Sequence, residues 1–114
     1  MIAVSGGGIA GLATSSQGPR EQGFRGPYGA RIRSETGVAT MVVGLVLDAR
    51  VAEDLLVSGA ADLVAVGREA LYNPNWPHHM ARDLGVDADY AEWPEQYGWW
   101  LVRREPLFKE ASDD

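Results

Sequence analysis

The fold of this chain is decided by the stretch Ala61-Asp62-Leu63-Val64-Ala65-Val66-Gly67-Arg68-Glu69. Its consecutive apolar residues, 63–66, are typical of a buried strand, and Gly67 marks the point where that strand ends and a helix begins. A glycine at such a junction lets the backbone approach a ligand closely, and the amino end of a helix offers unpaired N–H groups with a partial positive charge. The stretch therefore predicts a strand, a ligand-facing turn and a helix.

A second junction of the same kind lies upstream, where the apolar run Met41-Val42-Val43 is followed by Gly44 and Leu45. Consecutive parallel strands usually lie side by side, so Gly44 and Gly67 are expected at the same edge of one sheet. Two such turns, one carrying Arg68, predict a phosphate site. Spacing alone leaves an alternative open, in which both glycines serve only as tight turns and Arg68 pairs with a surface carboxylate.

The rest of the chain alternates strands and helices. Ile2-Ala3-Val4 predicts a short first strand, and Pro27 predicts the start of a helix that ends at Gly37. Asp48 is expected to cap a second helix, which Gly59 ends. The apolar residues expected on the inner faces of these two helices are Tyr28, Ile32, Val51, Ala52, Leu55 and Leu56.

Strands without polar alternation, separated by helices, indicate a parallel sheet covered on both sides. The predicted architecture is βαβαβ, as a piece of either a barrel or an open sheet. With 114 residues the chain is one small domain or part of a larger one, well short of the roughly 250 residues of a complete (β/α)₈ barrel. A short helical segment ending at Pro74, a helix from about Trp76 to Leu84, and a tail holding Trp93, Trp99 and Trp100 are expected to follow.

Composition excludes several classes of function. The net charge of −6 argues against non-specific binding of nucleic acid. The absence of cysteine excludes a disulfide framework and thiolate chemistry, which fits a reducing compartment. No apolar run approaches the roughly 18 residues needed to span a bilayer, and the start lacks the basic flank of a signal peptide. The chain is expected to be cytoplasmic, with no membrane or nucleic-acid partner.

Two other motifs could also indicate a ligand site. Residues 6–11, Gly-Gly-Gly-Ile-Ala-Gly, formally match G-x-G-x-x-G and resemble the start of a Rossmann domain in an FAD monooxygenase. That motif needs a helix starting within it, and Ser15 to Pro19 interrupts one, so a glycine-rich βα loop is favoured. The pair His78-His79 offers no metal site, because adjacent helical side chains point about 100° apart and no third ligand is recognisable.

Six phrases in register make the chain resemble the carboxy-terminal portion of the old yellow enzyme family of FMN-dependent NAD(P)H oxidoreductases. They cover nearly all of the chain, from residue 2 to about 105. The phrases are Val4-Ser5-Gly6-Gly7, Gly26-Pro27-Tyr28 with Ala30-Arg31-Ile32-Arg33, Met41-Val42-Val43-Gly44-Leu45, Ala61 to Glu69, Asn73-Pro74-Asn75-Trp76-Pro77, and Trp93-Pro94-Glu95-Gln96-Tyr97-Gly98-Trp99-Trp100.

The resemblance implies an α/β fold that is the βαβαβ portion, strands six to eight, of a (β/α)₈ TIM barrel, followed by a helical tail. It implies that backbone N–H groups of Gly44, Leu45, Gly67 and Arg68 hold the FMN phosphate, and that Gly7 lies in a loop over the cofactor. Residues 1–105 then form a partial FMN-binding domain, and 106–114 form an acidic tail.

The family passes hydride from NADH or NADPH through FMN to the β-carbon of an α,β-unsaturated carbonyl substrate. In relatives the residues corresponding to Tyr97, Trp99 and Trp100 lie near the active site or a subunit contact. The resemblance places the carbonyl-binding residues and the proton donor on strands before residue 1, so no catalytic residue is expected within this chain.

Three hypotheses remain. The first is a module that retains the phosphate half of the FMN site and is inactive alone. The second is a non-catalytic folding or interaction fragment that associates with itself or with a chain supplying the missing strands. The third is the Rossmann start of an FAD monooxygenase, which requires a helix from Gly8 to about residue 22.

Overall fold

The computed structural model describes residues 1–6 and 20–112, with side chains as far as residue 108. It divides into two compact units, residues 1–74 and residues 75–114. The first unit contains a three-stranded sheet, and the second contains helices. Among the described residues, no helix is long and apolar enough to cross a membrane.

The sheet of the first unit is entirely parallel. Strands β1 (Ile2–Val4), β2 (Thr40–Val43) and β3 (Leu63–Ala65) lie in the order β1-β2-β3. Val42 is in register with Val4 on one side and with Val64 on the other. The predicted parallel βαβαβ arrangement is therefore confirmed, and it is compatible with a section of a TIM barrel.

Two helices connect the strands, and both begin and end where the sequence predicts within a residue or two. Helix α1 (Gly26–Thr36) has Pro27 in its first turn and ends at Gly37, whose φ of 68° is the left-handed conformation that glycine adopts without strain. Helix α2 (Ala49–Val57) is capped by Asp48, whose carboxylate accepts a 2.9 Å hydrogen bond from the Val51 N–H. A short helix, α3 (Arg68–Tyr72), follows β3.

The predicted inner face of α1 is wrong for Tyr28. Tyr28 is 64% exposed, and Ile32 is half-buried. The buried residues of the helix are Gly26 and Gly29. A Cβ at Gly29 would lie 2.5 Å from the Ala60 carbonyl oxygen and 2.6 Å from Val42 Cγ2. Because the backbone of α1 lies directly against the sheet, the contact face consists of residues without bulky side chains.

The expectation that the sheet is covered on both faces is also wrong for the described residues. On one face, Val4 and Val42 are buried, and α1 and α2 pack against β2 and β3. On the other, Ala3 is exposed, its register partner Met41 is half-buried, and Leu63 is 50% exposed. Leu56, which was predicted on the inner face of α2, is 38% exposed. The apolar sequences of these strands therefore do not mean that both faces of the sheet are covered.

Asp62 ties the start of β3 to the start of β2. Its carboxylate accepts a 2.8 Å hydrogen bond from the Thr40 N–H and pairs with Arg33 at 3.1 Å, while its own N–H donates to the Thr40 carbonyl. The Thr40 N–H bond, with help from Arg33, holds the pKa of Asp62 below its ordinary value of 3.8.

This lowered pKa predicts acid sensitivity. A carboxyl group whose pKa is lower in the folded state stabilises the fold above its unfolded pKa, and that stability is lost as pH falls through the folded pKa. We expect Asp62→Asn to lower the denaturation midpoint at pH 7 and to leave a smaller midpoint loss between pH 5 and pH 3 than the parent shows. Asp54→Asn, at an exposed position of α2, is the control. A parent and an Asp62→Asn variant with equal acid sensitivity would contradict the assignment.

The second unit is built from helices α4 (Trp76–Asp83) and α5 (Glu95–Ser112). Arg82 of α4 pairs with Glu105 of α5, and its guanidinium lies 3.7 Å from the centroid of the Tyr90 ring. The Tyr90 hydroxyl also donates to Glu105. Burial of Tyr90 raises its pKa, and the hydrogen bond to Glu105 raises it further. Helix α5 continues through residue 105 to Ser112, across the expected start of the acidic tail.

Candidate functional site

The loops after β2 and β3 lie side by side, as the two glycine junctions predict. Val43 and Ala65, the last residues of these parallel strands, are register partners. Both loops line one cavity of about 520 Å³ at the carboxyl ends of the strands. The lining residues are Arg25, Val43, Gly44, Leu45, Val46, Leu47, Ala65, Val66, Gly67, Arg68 and Glu69.

The loop after β2 turns sharply through two residues with positive φ. Gly44 has a φ of 139° and Leu45 a φ of 49°. A Cβ at Gly44 would lie 2.7 Å from Arg25 Nη1 and 2.8 Å from Phe24 Cε1, so a side chain there would displace these neighbours in addition to straining the backbone. Leucine in the left-handed region is costly, and such strained backbone is concentrated at ligand sites. The turn is thus maintained against an energetic cost, which makes it a functional candidate.

The loop after β3 leads directly into α3. A Cβ at Gly67 would meet no heavy atom within 4 Å apart from its chain neighbours, so the backbone is open on that side. The first amides of α3, at Arg68 and Glu69, have no carbonyl one turn earlier in the helix to bond to. Arg68 is exposed and has no carboxylate of the described residues within 4 Å. The surface ion pair that spacing alone left open is therefore not formed among these residues.

Arg25 also lines the cavity, and sequence reasoning missed it. Its guanidinium donates a 2.8 Å hydrogen bond to the Val43 carbonyl and another to the Gly6 carbonyl. It also lies 4.6 Å from the centroid of the Phe24 ring. Arg25 comes from a segment without periodicity or motif, so only the tertiary structure places it at the ends of β1 and β2.

The residues of the cavity fit a phosphate group. Its lining provides two arginine side chains, one glutamate, an open glycine backbone and the first amides of a helix. Guanidinium groups and backbone N–H groups are the donors that bind phosphate oxygens in proteins. The volume is also within the range of roughly 300–1,000 Å³ that is usual for ligand pockets. The donor groups of the cavity are therefore of the kinds that a phosphate monoester requires.

The other residues predicted for the site belong to the second unit or lie outside the described residues. Gly7 lies outside the described residues, as do residues 8–11 of the formal G-x-G-x-x-G motif. Tyr97, Trp99 and Trp100 belong to α5 of the second unit and are 60%, 50% and 68% exposed. The Trp99 ring packs edge-on against Trp100 and beneath the Arg103 guanidinium. Their assignment to a substrate or subunit contact stays a prediction.

The two histidines have aromatic neighbours. His78 stacks on Trp93 with ring centroids 4.6 Å apart, and His79 lies 5.6 Å from the same ring at a tilt. Across the part of the chain that the structure describes, no group of three or more His, Cys, Asp or Glu side chains could hold a metal ion. Both histidine rings pack against Trp93 within the second unit.

The first unit is a parallel α/β arrangement with a cavity at the carboxyl ends of its strands, the edge at which ligands bind in α/β proteins of this class. No family model matches the chain. Curated relatives do match. The NADPH dehydrogenase of Geobacillus thermodenitrificans is 46% identical over 79 residues, which are 68% of this chain and 22% of that protein. That of Listeria monocytogenes is 37% identical over 97 residues, 85% of this chain and 27% of that protein.

A third relative, the NADPH dehydrogenase of Halalkalibacterium halodurans, is 41% identical over 68 residues, 60% of this chain and 20% of that protein. The chain is homologous to the carboxy-terminal part of NADPH dehydrogenases of the old yellow enzyme type, which confirms the resemblance seen in the sequence. It spans about a quarter of the length of the curated relatives it matches.

Proposed function

We propose that this chain carries the phosphate-binding half of the FMN site of an NAD(P)H-dependent oxidoreductase of the ene-reductase type. The observation that carries the proposal is the pair of loops at Gly44 and Gly67, which line one cavity together with Arg68. Homology to NADPH dehydrogenases supports an oxidoreductase family. That the ligand is FMN, and that the three strands are strands six to eight of a barrel, are both part of the proposal.

In this proposal the residues of the chain bind and orient the cofactor. The N–H groups of Gly44, Leu45, Gly67 and Arg68 donate to the phosphate oxygens, and the Arg68 guanidinium offsets the phosphate charge. When bound, FMN supplies the hydride-transfer chemistry between a nicotinamide and an activated alkene. A fixed phosphate limits the positions open to the rest of the cofactor, so these loops contribute to catalysis through positioning.

We further propose that the chain does not catalyse this reaction alone. The residues that we assign to the cofactor contact its phosphate end, and none is assigned a role at the reacting carbon or the carbonyl oxygen. Transition-state stabilisation requires donors preorganised around the reacting atoms. Gly7, expected in a loop over the cofactor, and the proposed contacts of Tyr97, Trp99 and Trp100 do not replace such donors.

Arg68→Ala tests the proposal in a complete site. We suggest a chimera in which this chain replaces the matching segment of the Geobacillus thermodenitrificans NADPH dehydrogenase. Loss of one charge-assisted hydrogen bond to phosphate is expected to weaken FMN binding by about 1.5–3 kcal/mol, which is roughly a tenfold to hundredfold rise in Kd. Flavin fluorescence during dilution measures the change.

The control for this experiment is Arg50→Ala, which removes the same charge from an exposed position of α2. That variant is expected to retain FMN as the parent chimera does. If Arg68→Ala and Arg50→Ala retain FMN equally, Arg68 is a surface charge and not part of the cofactor site.

A specific observation also supports a second candidate, a non-catalytic fragment that associates with another chain. Leu63 is 50% exposed and Ile2 is 41% exposed, on the two edge strands of the sheet. Edge strands present unpaired backbone groups, and exposed apolar faces favour association. Concentration-dependent sedimentation of the purified chain, without any effect of FMN, would favour this candidate over the first.

A further inference from the structure

Arg25, which lines the cavity, belongs to the segment Gln22–Arg25, and that segment is hydrogen-bonded to the loop after β2. Gln22 accepts hydrogen bonds from the N–H groups of Leu47 and Asp48 through its Oε1, and its Nε2 donates to the Asp48 carboxylate at 2.8 Å. The Gly23 N–H donates to the Gly44 carbonyl at 3.3 Å. These contacts hold the segment, and with it Arg25, in a defined position beside the phosphate loops.

Arg25 is oriented from two further directions. The carbonyls of Val43 and Gly6 each accept one hydrogen bond from its guanidinium, and the Phe24 ring packs against the group. A guanidinium has five N–H groups, so these bonds leave donors for a ligand. A Cβ on Gly44 would collide with Nη1, which shows how closely Arg25 approaches the turn that carries the Gly44 and Leu45 amides.

The charge of Arg25 is not neutralised by its partners, because both are carbonyl oxygens. Among the residues that the structure describes, no carboxylate lies within 4 Å of its guanidinium. Among the described residues that line the cavity, Glu69 is the one acidic side chain, against two arginines. The cavity therefore has an excess of positive charge, which favours a doubly charged phosphate monoester over an uncharged ligand.

We infer that Arg25 is the second cation of the phosphate site and determines its preference for a dianionic phosphate group. This inference rests on the proposed function, since it assigns a role at the same cavity. Arg68 approaches from the loop after β3, and Arg25 approaches from the segment before α1. Two cations from different elements hold a phosphate more selectively than one, because each fixes a different direction of approach.

The test is a titration of the full 114-residue chain with inorganic phosphate, followed by NMR of backbone amides and of arginine Nε groups. We expect the amides of Gly44, Leu45, Gly67 and Arg68 to shift together with Arg25 Nε. Arg25→Gln removes the charge and keeps a hydrogen-bond donor, and it should raise the phosphate Kd about tenfold. Arg25→Lys keeps the charge but not the fork that reaches both carbonyls, so a smaller rise is expected.

Arg31→Gln is the matched control, because Arg31 lies on the exposed face of α1 and pairs with Glu35. It should leave the phosphate Kd unchanged. If the loop amides shift while Arg25 Nε does not, and Arg25→Gln binds phosphate as the parent does, the inference is wrong and the phosphate site stands. If phosphate shifts no loop amide in the parent, the proposed function is wrong, and the role of Arg25 is rejected with it. The shift of the Arg25 Nε signal is measured in the parent chain, so this part of the test does not depend on whether a variant folds.

Discussion

Gly29→Ala is expected to destabilise the sheet-containing unit by about 2–3 kcal/mol, near the upper end of what overpacking costs. The added methyl carbon would lie 2.5 Å from the Ala60 carbonyl oxygen and 2.6 Å from Val42 Cγ2. Val42 is fully buried in the central strand, so neither neighbour can withdraw without moving α1 from the sheet. Alanine in a helix normally stabilises by roughly 0.5–1 kcal/mol relative to glycine, and the collision should outweigh that gain.

Equilibrium urea denaturation of both proteins measures this effect. Ser34→Ala, at an exposed position of the same helix, is the control, and its midpoint is expected to change little. A Gly29→Ala variant at least as stable as the parent would mean that α1 does not pack directly on Val42. If α1 moved away from the sheet, the β2 end of the cavity would also lose the support of this helix.

The second large effect concerns activity. The purified 114-residue chain is expected neither to hold FMN tightly nor to reduce cyclohexenone with NADH or NADPH. Each phosphate hydrogen bond contributes only about 1 kcal/mol net, and association has its own entropic cost, so phosphate contacts alone give weak binding. Without preorganised groups at the reacting carbon, bound cofactor would not transfer hydride to the alkene at a useful rate.

Flavin absorbance after desalting and NAD(P)H consumption with and without the enone test this expectation. The full-length NADPH dehydrogenase of Geobacillus thermodenitrificans, assayed in the same way, is the comparison. A yellow preparation with stoichiometric flavin, or steady enone-dependent NAD(P)H oxidation, would show that the chain builds a complete site, by self-association or otherwise. The proposal that it is inactive alone would then be wrong.

Local signals explain why much of the fold was predictable. Pro27, Asp48 and the glycines at 37 and 59 act through their own backbone geometry, so helix boundaries follow from them without tertiary information. Apolar runs separated by helices predicted the parallel strand order. The adjacency of Gly44 and Gly67 then followed from the right-handed βαβ connection.

What sequence could not supply depends on contacts distant in the chain. Tyr28 was assigned to the inner face by its hydrophobicity, but Gly29 packs closest because the α1 backbone lies on Val42. Leu63 is apolar and yet 50% exposed, since within the first unit α1 packs on the opposite face of the sheet, against Val42. Arg25 belongs to a segment with no pattern, and its place at the cavity depends on the carbonyls of Gly6 and Val43.

The proposed phosphate-binding half of the FMN site is tested most directly by comparing FMN with riboflavin, which differ by the phosphate group. In NMR titrations of the full chain, FMN is expected to shift the amides of Gly44, Leu45, Gly67 and Arg68, and riboflavin at the same concentration is expected to leave them in place. Equal shifts from both ligands, or FMN shifts confined to residues outside the cavity, would contradict the assignment of these loops to the cofactor phosphate.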